Sequence, residues 1–195
     1  MHKLLLTIAC TAFSAATLPA HALTLVSTSA NGNLAAARVD SGALPTIAAD
    51  IGFTDFGPVS FQFELASADA GGLAGFNAVI ANLVGRGIPA LELTLDRGTF
   101  ALLGSVTPAF SAVASMLGDA QRQRLSFVPA EAFGIDIGSP FAAAGAEDWL
   151  IGFAGMAAGD RFTLTVSAVP EPSSWALVLA GAGVLALVGR RRRAG

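Results

Sequence analysis

The chain has almost none of the side chains on which neutral-pH catalysis depends. Among 195 residues there is no tyrosine, one cysteine and two histidines. Cys10, His2 and His21 all fall within the first 22 residues, and so does the one lysine, Lys3. With that segment removed, the remainder has no Cys, His, Lys or Tyr. A Ser-His-Asp triad, a thiol nucleophile, a Schiff-base lysine and a zinc site of imidazoles or thiolates are then excluded by inventory. Disulfides are excluded as well, so stability must come from packing. Charge is also scarce, at 13% of residues against about 25% in ordinary domains. Residues 23–168 hold six arginines against thirteen acids, a formal charge of −7. Nucleic-acid binding rests on neutralising phosphates with Lys and Arg, so a body this acidic is not built for it.

What is present is concentrated at the two ends. Met1-His2-Lys3 is a short positive segment, followed by the apolar run Leu4 to Leu18 and a break at Pro19. That run has signal-peptide length and falls short of the roughly 20 residues that span a bilayer. Ala20-His21-Ala22 is a small-x-small cleavage site, so residues 1–22 are expected to be a leader removed after Ala22 by signal peptidase. Cys10 lies in mid-run, where lipid attachment is not expected.

Residues 169–195 have three parts. Val169-Pro170-Glu171-Pro172 cannot carry a helix or strand through itself, because its prolines remove donors and hold the preceding residues extended. Ser173 or Ser174 can then cap a helix over about 173–189, which has no charged residue and includes Trp175. Its 17 residues are just enough to span a membrane, with Trp175 at one interface and arginine stems reaching the other. Arg190, Arg191, Arg192 and Arg193 follow. By the positive-inside rule they stay cytoplasmic, which leaves the body outside.

The order and spacing of Pro170-Glu171-Pro172, the apolar helix and Arg190–Arg193 closely resemble the PEP-CTERM sorting signal of Gram-negative bacteria. The resemblance covers about 27 of the 195 residues. It implies handling by an exosortase, a polytopic membrane enzyme acting near the Pro-Glu-Pro motif. It also implies transient anchoring in the inner membrane, then delivery to the cell surface or extracellular matrix.

The body, residues 23–168, reads as mainly β. Val59–Leu65, Leu91–Asp96 and Phe162–Ser167 alternate apolar and polar residues, the mark of half-buried strands. Weaker candidates are Leu23–Ser27, Thr99–Leu103, Leu125–Val128 and Leu150–Phe153, separated by turn clusters such as Asn31-Gly32-Asn33 and Gly71-Gly72. Two segments read as short helices: Phe76, Val79, Ile80, Leu83 and Val84 up to Gly85, and Phe110, Val113 and Leu117 up to Ala120. About seven strands with one or two short helices point to a small β-sandwich or jelly-roll-like domain, with a single transmembrane helix behind it. Phe53-Thr54-Asp55-Phe56 reads as core phenylalanines around a turn that Asp55 caps.

The chemistry left to such a body is carboxylate chemistry. Paired acids can cleave glycosides, and the candidates are Glu64, Glu92, Asp96, Glu131, Asp136, Glu147 and Asp148. Trp149 beside Glu147-Asp148 would be the sugar platform if exposed, and an anchor of the last hairpin if buried. No segment has the regular calcium loop, and Gly71–Gly75 lacks the ending of a phosphate loop. No catalytic, cofactor-binding or metal-ligating residue is therefore assigned. The processing residues are Ala20, Ala22, Pro170, Glu171, Pro172, Trp175 and Arg190–Arg193. The expectation is a non-enzymatic surface or matrix protein, with exosortase, signal peptidase and exopolysaccharide as partners and no cofactor. The alternatives are a carbohydrate-binding or glycosidase module, and a periplasmic protein retained by its anchor.

Overall fold

Period-two alternation builds the centre of a six-stranded antiparallel sheet. The computed structural model describes residues 23–42, 44–66, 70–141 and 148–170. Among these it has thirteen strands and no helix. They are β1 (Thr24–Ser29), β2 (Leu34–Asp40), β3 (Thr46–Phe53), β4 (Val59–Glu64), β5 (Leu73–Asn82), β6 (Ile88–Leu95), β7 (Thr99–Leu102), β8 (Val106–Pro108), β9 (Ala112–Gly118), β10 (Arg122–Glu131), β11 (Gly134–Ile137), β12 (Leu150–Gly152) and β13 (Arg161–Val169). The first sheet runs β1-β4-β13-β6-β10-β9 and the second β2-β3-β5-β11-β8, with β12 bridging β5 and β7. The two sheets face each other across one apolar core, a β-sandwich.

The three strongly alternating segments lie side by side as β4, β13 and β6. Phe61, Phe63, Leu91, Leu93, Phe162, Leu164 and Val166 are buried on the shared inner face. Their polar partners face outward, where Ser60 Oγ and Thr165 Oγ1 meet at 2.8 Å across the strand pair. Phe63 and Phe162, directly opposite in register, stack at 5.3 Å. Phe153, which follows β12 in the other sheet, reaches the same ring at 5.1 Å. Cross-strand aromatic pairs of this kind add stability beyond their buried area.

Both expected helices are strands. Residues 76–82 belong to β5 and residues 112–118 to β9. β5 is the hub of the second sheet, parallel to β3 and antiparallel to β11 and β12, and its run from Ala74 to Ala78 is buried. A strand enclosed by neighbours on both edges and covered on both faces shows no alternation, so a short apolar run is indistinguishable from a helical face. β9 is an edge strand on which most residues are exposed, so burial imposes no period on it. The parallel β3·β5 pair also sets the sandwich apart from an all-antiparallel jelly roll. The expected membrane helix over 173–189 lies outside the described residues, among which no helix is long and apolar enough to cross a membrane.

The register defines two ends. Val169 pairs with Ala90, Ile88 pairs with Glu131, and Phe53 pairs with Asn82. Asn82 joins the sheets there, donating from Nδ2 to the Glu131 carbonyl oxygen at 2.9 Å. Glu64, Asp96, Asp119 and Asp160 lie at the opposite end.

Candidate functional site

The sorting segment begins where the last strand stops. β13 carries the fold one residue past the assigned body, to Val169, and Pro170 ends the ladder because it has no N–H to donate. Pro170 lines a recess of about 240 Å³ with Phe56, Arg86, Gly87 and Ala130. The Arg86 guanidinium sits 4.7 Å from the centre of the Phe56 ring, a cation–π contact on the β5–β6 loop. Gly87 is there by necessity, since a Cβ on it would come within 2.7 Å of the Ala130 Cβ. Of the expected processing residues, Pro170 is the one within the described residues. Ala20, Ala22, Glu171, Pro172, Trp175 and Arg190–Arg193 lie outside them.

Beside this recess, Glu131 is fully buried at the end of β10. Its Oε2 accepts from the Phe110 amide, the Ser111 amide and the Ser111 hydroxyl, each at 2.9 Å. Its Oε1 accepts from the Phe133 amide at 2.8 Å. Burial works against the charge, but these four donors outweigh it and hold the carboxyl down to about 2. Glu131 therefore serves as a fixed anion that ties the loop at Phe110–Ser111 to the loop at Phe133. Its role was not legible beforehand, because three of the four donors belong to Phe110 and Ser111, some 20 residues away.

The other candidate carboxylates are dispersed. Glu64 pairs with Arg161 at 2.8 Å and Glu92 with Arg122 at 3.5 Å, on the outer face of the first sheet. Asp96 accepts from the Thr163 amide. Asp148 Oδ2 accepts from the Ser105 amide at 2.7 Å, while its Oδ1 is buried and finds no partner among the described residues. Burial pushes Asp136 above the usual carboxylate range. Glu147 lies outside the described residues. Asp55 caps its turn as expected, accepting from the Gly57 amide at 2.6 Å.

Trp149 is completely buried. Its Nε1–H donates to the Ser105 carbonyl oxygen at 2.9 Å, and the rings of Phe76 and Phe100 meet it edge-on at 6.3 and 6.0 Å. It is a core anchor, with no face open to a sugar. A trough of about 670 Å³ on the outer face of the second sheet, walled by Leu34, Val79 and Leu83, contains none of the candidate carboxylates. Among the described residues no three acids gather where they could hold a metal ion.

No curated protein and no solved structure matches the chain. Residues 168–193 match the family model of the PEP-CTERM protein-sorting motif. The match starts at Ala168, within β13, so the motif is continuous with the last strand of the sandwich. Residues 168–193 are thus a PEP-CTERM sorting motif, which implies export, processing by an exosortase and C-terminal sorting toward the cell surface.

Proposed function

We propose that the sandwich is the cargo: a non-enzymatic surface or extracellular-matrix protein that associates with exopolysaccharide once its sorting tail has been removed. The observation that carries this reading is the use to which the carboxylates are put. Glu131, Glu64, Glu92 and Asp96 are engaged by backbone amides or arginines, at opposite ends and on different faces of the molecule. A glycosidase needs two carboxyl groups about 5–9.5 Å apart flanking an open sugar site, and the tryptophan that could have lined one is inside the core. Before processing, the tail anchors the protein in the inner membrane with Arg190–Arg193 on the cytoplasmic side.

One pair of groups favours carboxylate chemistry as the second reading: Asp148, just before β12, whose buried Oδ1 has no partner among the described residues, and Asp136 in β11, raised by burial. The test separates the two. Surface-released protein is incubated with the exopolysaccharide of the producing cells, and co-sedimentation and reducing-end release are measured together. Co-sedimentation without new reducing ends is expected. Steady release of reducing ends, abolished by Asp136→Asn or Asp148→Asn, contradicts the proposal.

A further inference from the structure

The Pro170 end of the sandwich exposes aromatic surface where a soluble domain would be expected to hide it. Phe110 is 75% exposed and Phe133 63% exposed, yet their rings pack together at 4.6 Å. Val128, also exposed, lies opposite Ala112 in the adjoining strand pair, and exposed Leu83 follows Asn82, whose amide donates to the Phe133 carbonyl oxygen. This is not loose loop surface. The four donors on Glu131 fix the backbones of Phe110 and Phe133, and Asn82 joins them to β5.

Two further observations say what covers it. The first is where the chain leaves. Pro170 shares its recess with Ala130, the neighbour of Glu131, and the charge-free run begins at Ser173. Three extended steps reach at most about 11 Å, while a headgroup layer is roughly 5–8 Å deep on each side of the hydrocarbon. With the run in a bilayer, this end of the sandwich lies against the headgroups. The second is charge. Among the described residues, Asp40, Glu64, Asp96, Asp119, Asp148 and Asp160 lie toward the far end of the strands and Asp50, Glu92 and Asp136 midway along them, so most of the negative charge is kept away from anionic lipid. Among the described residues, the acids at the Pro170 end, Asp55 and Glu131, are turned onto backbone amides, and the arginine there is Arg86; Glu171 follows Pro170 in the sequence.

We infer that this end is a membrane-contact face: Phe110, Phe133, Val128 and Leu83 seat the body on the lipid surface and present Pro170 and the motif behind it at a fixed depth. Aromatic rings favour that interfacial layer. The inference rests on the reading of 173–189 as membrane-inserted.

The test uses the full chain with Cys10→Ser, in vesicles of phosphatidylethanolamine and phosphatidylglycerol, with a polarity-sensitive dye on one introduced cysteine. Positions are Ala132→Cys beside Phe133, Ala120→Cys at the far end, and Ala182→Cys in the tail. Headgroup-attached nitroxide should quench the dye at 132 several-fold more than at 120. Phe110→Ser with Phe133→Ser should remove that difference while quenching or blue shift at 182 is kept. Equal quenching at 132 and 120 with an inserted 182 overturns the contact face and leaves the anchor standing. A dye at 182 that stays in water overturns the anchor and the contact face with it. A blue shift at 132 that needs no lipid and rises with protein concentration makes the face a contact between copies, and also overturns the proposal.

Discussion

Phe110 and Phe133 pack ring to ring at 4.6 Å, tilted by 51°, on the outside of the protein, and one buried carboxylate, Glu131, binds the backbone amide of each. The pair is thus held open by the core rather than left over from it.

Replacing that carboxylate should loosen the whole end. In Glu131→Gln one oxygen becomes an NH₂ group facing backbone N–H donors, so at least one buried donor loses its partner. A loss of about 2–3 kcal/mol is expected in urea unfolding at neutral pH, with exchange of the Phe110, Ser111 and Phe133 amides accelerated first. An unchanged midpoint would mean that the four hydrogen bonds carry no net stability.

The same group gives an acid dependence with a defined sign. Its folded value, about 2, lies below its ordinary 4.5. The stabilisation is therefore complete above pH 4.5 and is lost as pH falls toward 2, amounting to roughly 3 kcal/mol across that window. Unfolding midpoints measured across that range should fall steeply for the parent chain and less steeply for Glu131→Gln. Parallel curves would assign the acid loss to other carboxylates.

Trp149 should behave as a sealed core residue. In a Trp175→Phe background its fluorescence is expected to be blue-shifted and nearly inaccessible to acrylamide until the protein unfolds. Trp149→Phe strands the Ser105 carbonyl oxygen and leaves space between Phe76 and Phe100, a cost of about 2–4 kcal/mol. Ready quenching in the native state would reopen the sugar-platform reading.

Gly118 should tolerate no side chain. Any Cβ there runs into the Arg122 carbonyl oxygen and the Gln123 side chain, where β9 turns into β10. Asp119 N already donates to that oxygen at 2.8 Å, so it cannot retreat without opening the turn. Gly118→Ala is expected to cost about 2–4 kcal/mol, read as a lowered thermal midpoint.

The sequence was readable where one face of a strand meets water. Val59–Glu64, Ile88–Leu95 and Arg161–Val169 show the alternation because their outer faces carry Ser, Gln, Glu and Thr. It was misread where that contrast vanishes, in enclosed β5 and exposed β9, and β3 (TIAADIGF), buried at seven of eight positions, offered no alternation to read. Turn chemistry was legible locally, as with Asp55 and Gly57, two residues apart. The Glu131 cluster was not, because three of its four donors come from the Phe110–Ser111 loop, which only the folded sheets bring to it. The tail was the opposite case, legible through the resemblance of its order and spacing to a known sorting signal, and residues 168–193 match that family model.

The central claim is that the sandwich is exported cargo, trimmed at both ends. Intact-mass analysis of the protein recovered outside the cells tests it most directly. The account predicts one species that begins at Leu23 and ends close to Pro170-Glu171-Pro172, without the apolar run or the arginines. A chain that keeps Arg190–Arg193 and stays in the inner membrane, with no shorter form outside, would contradict it.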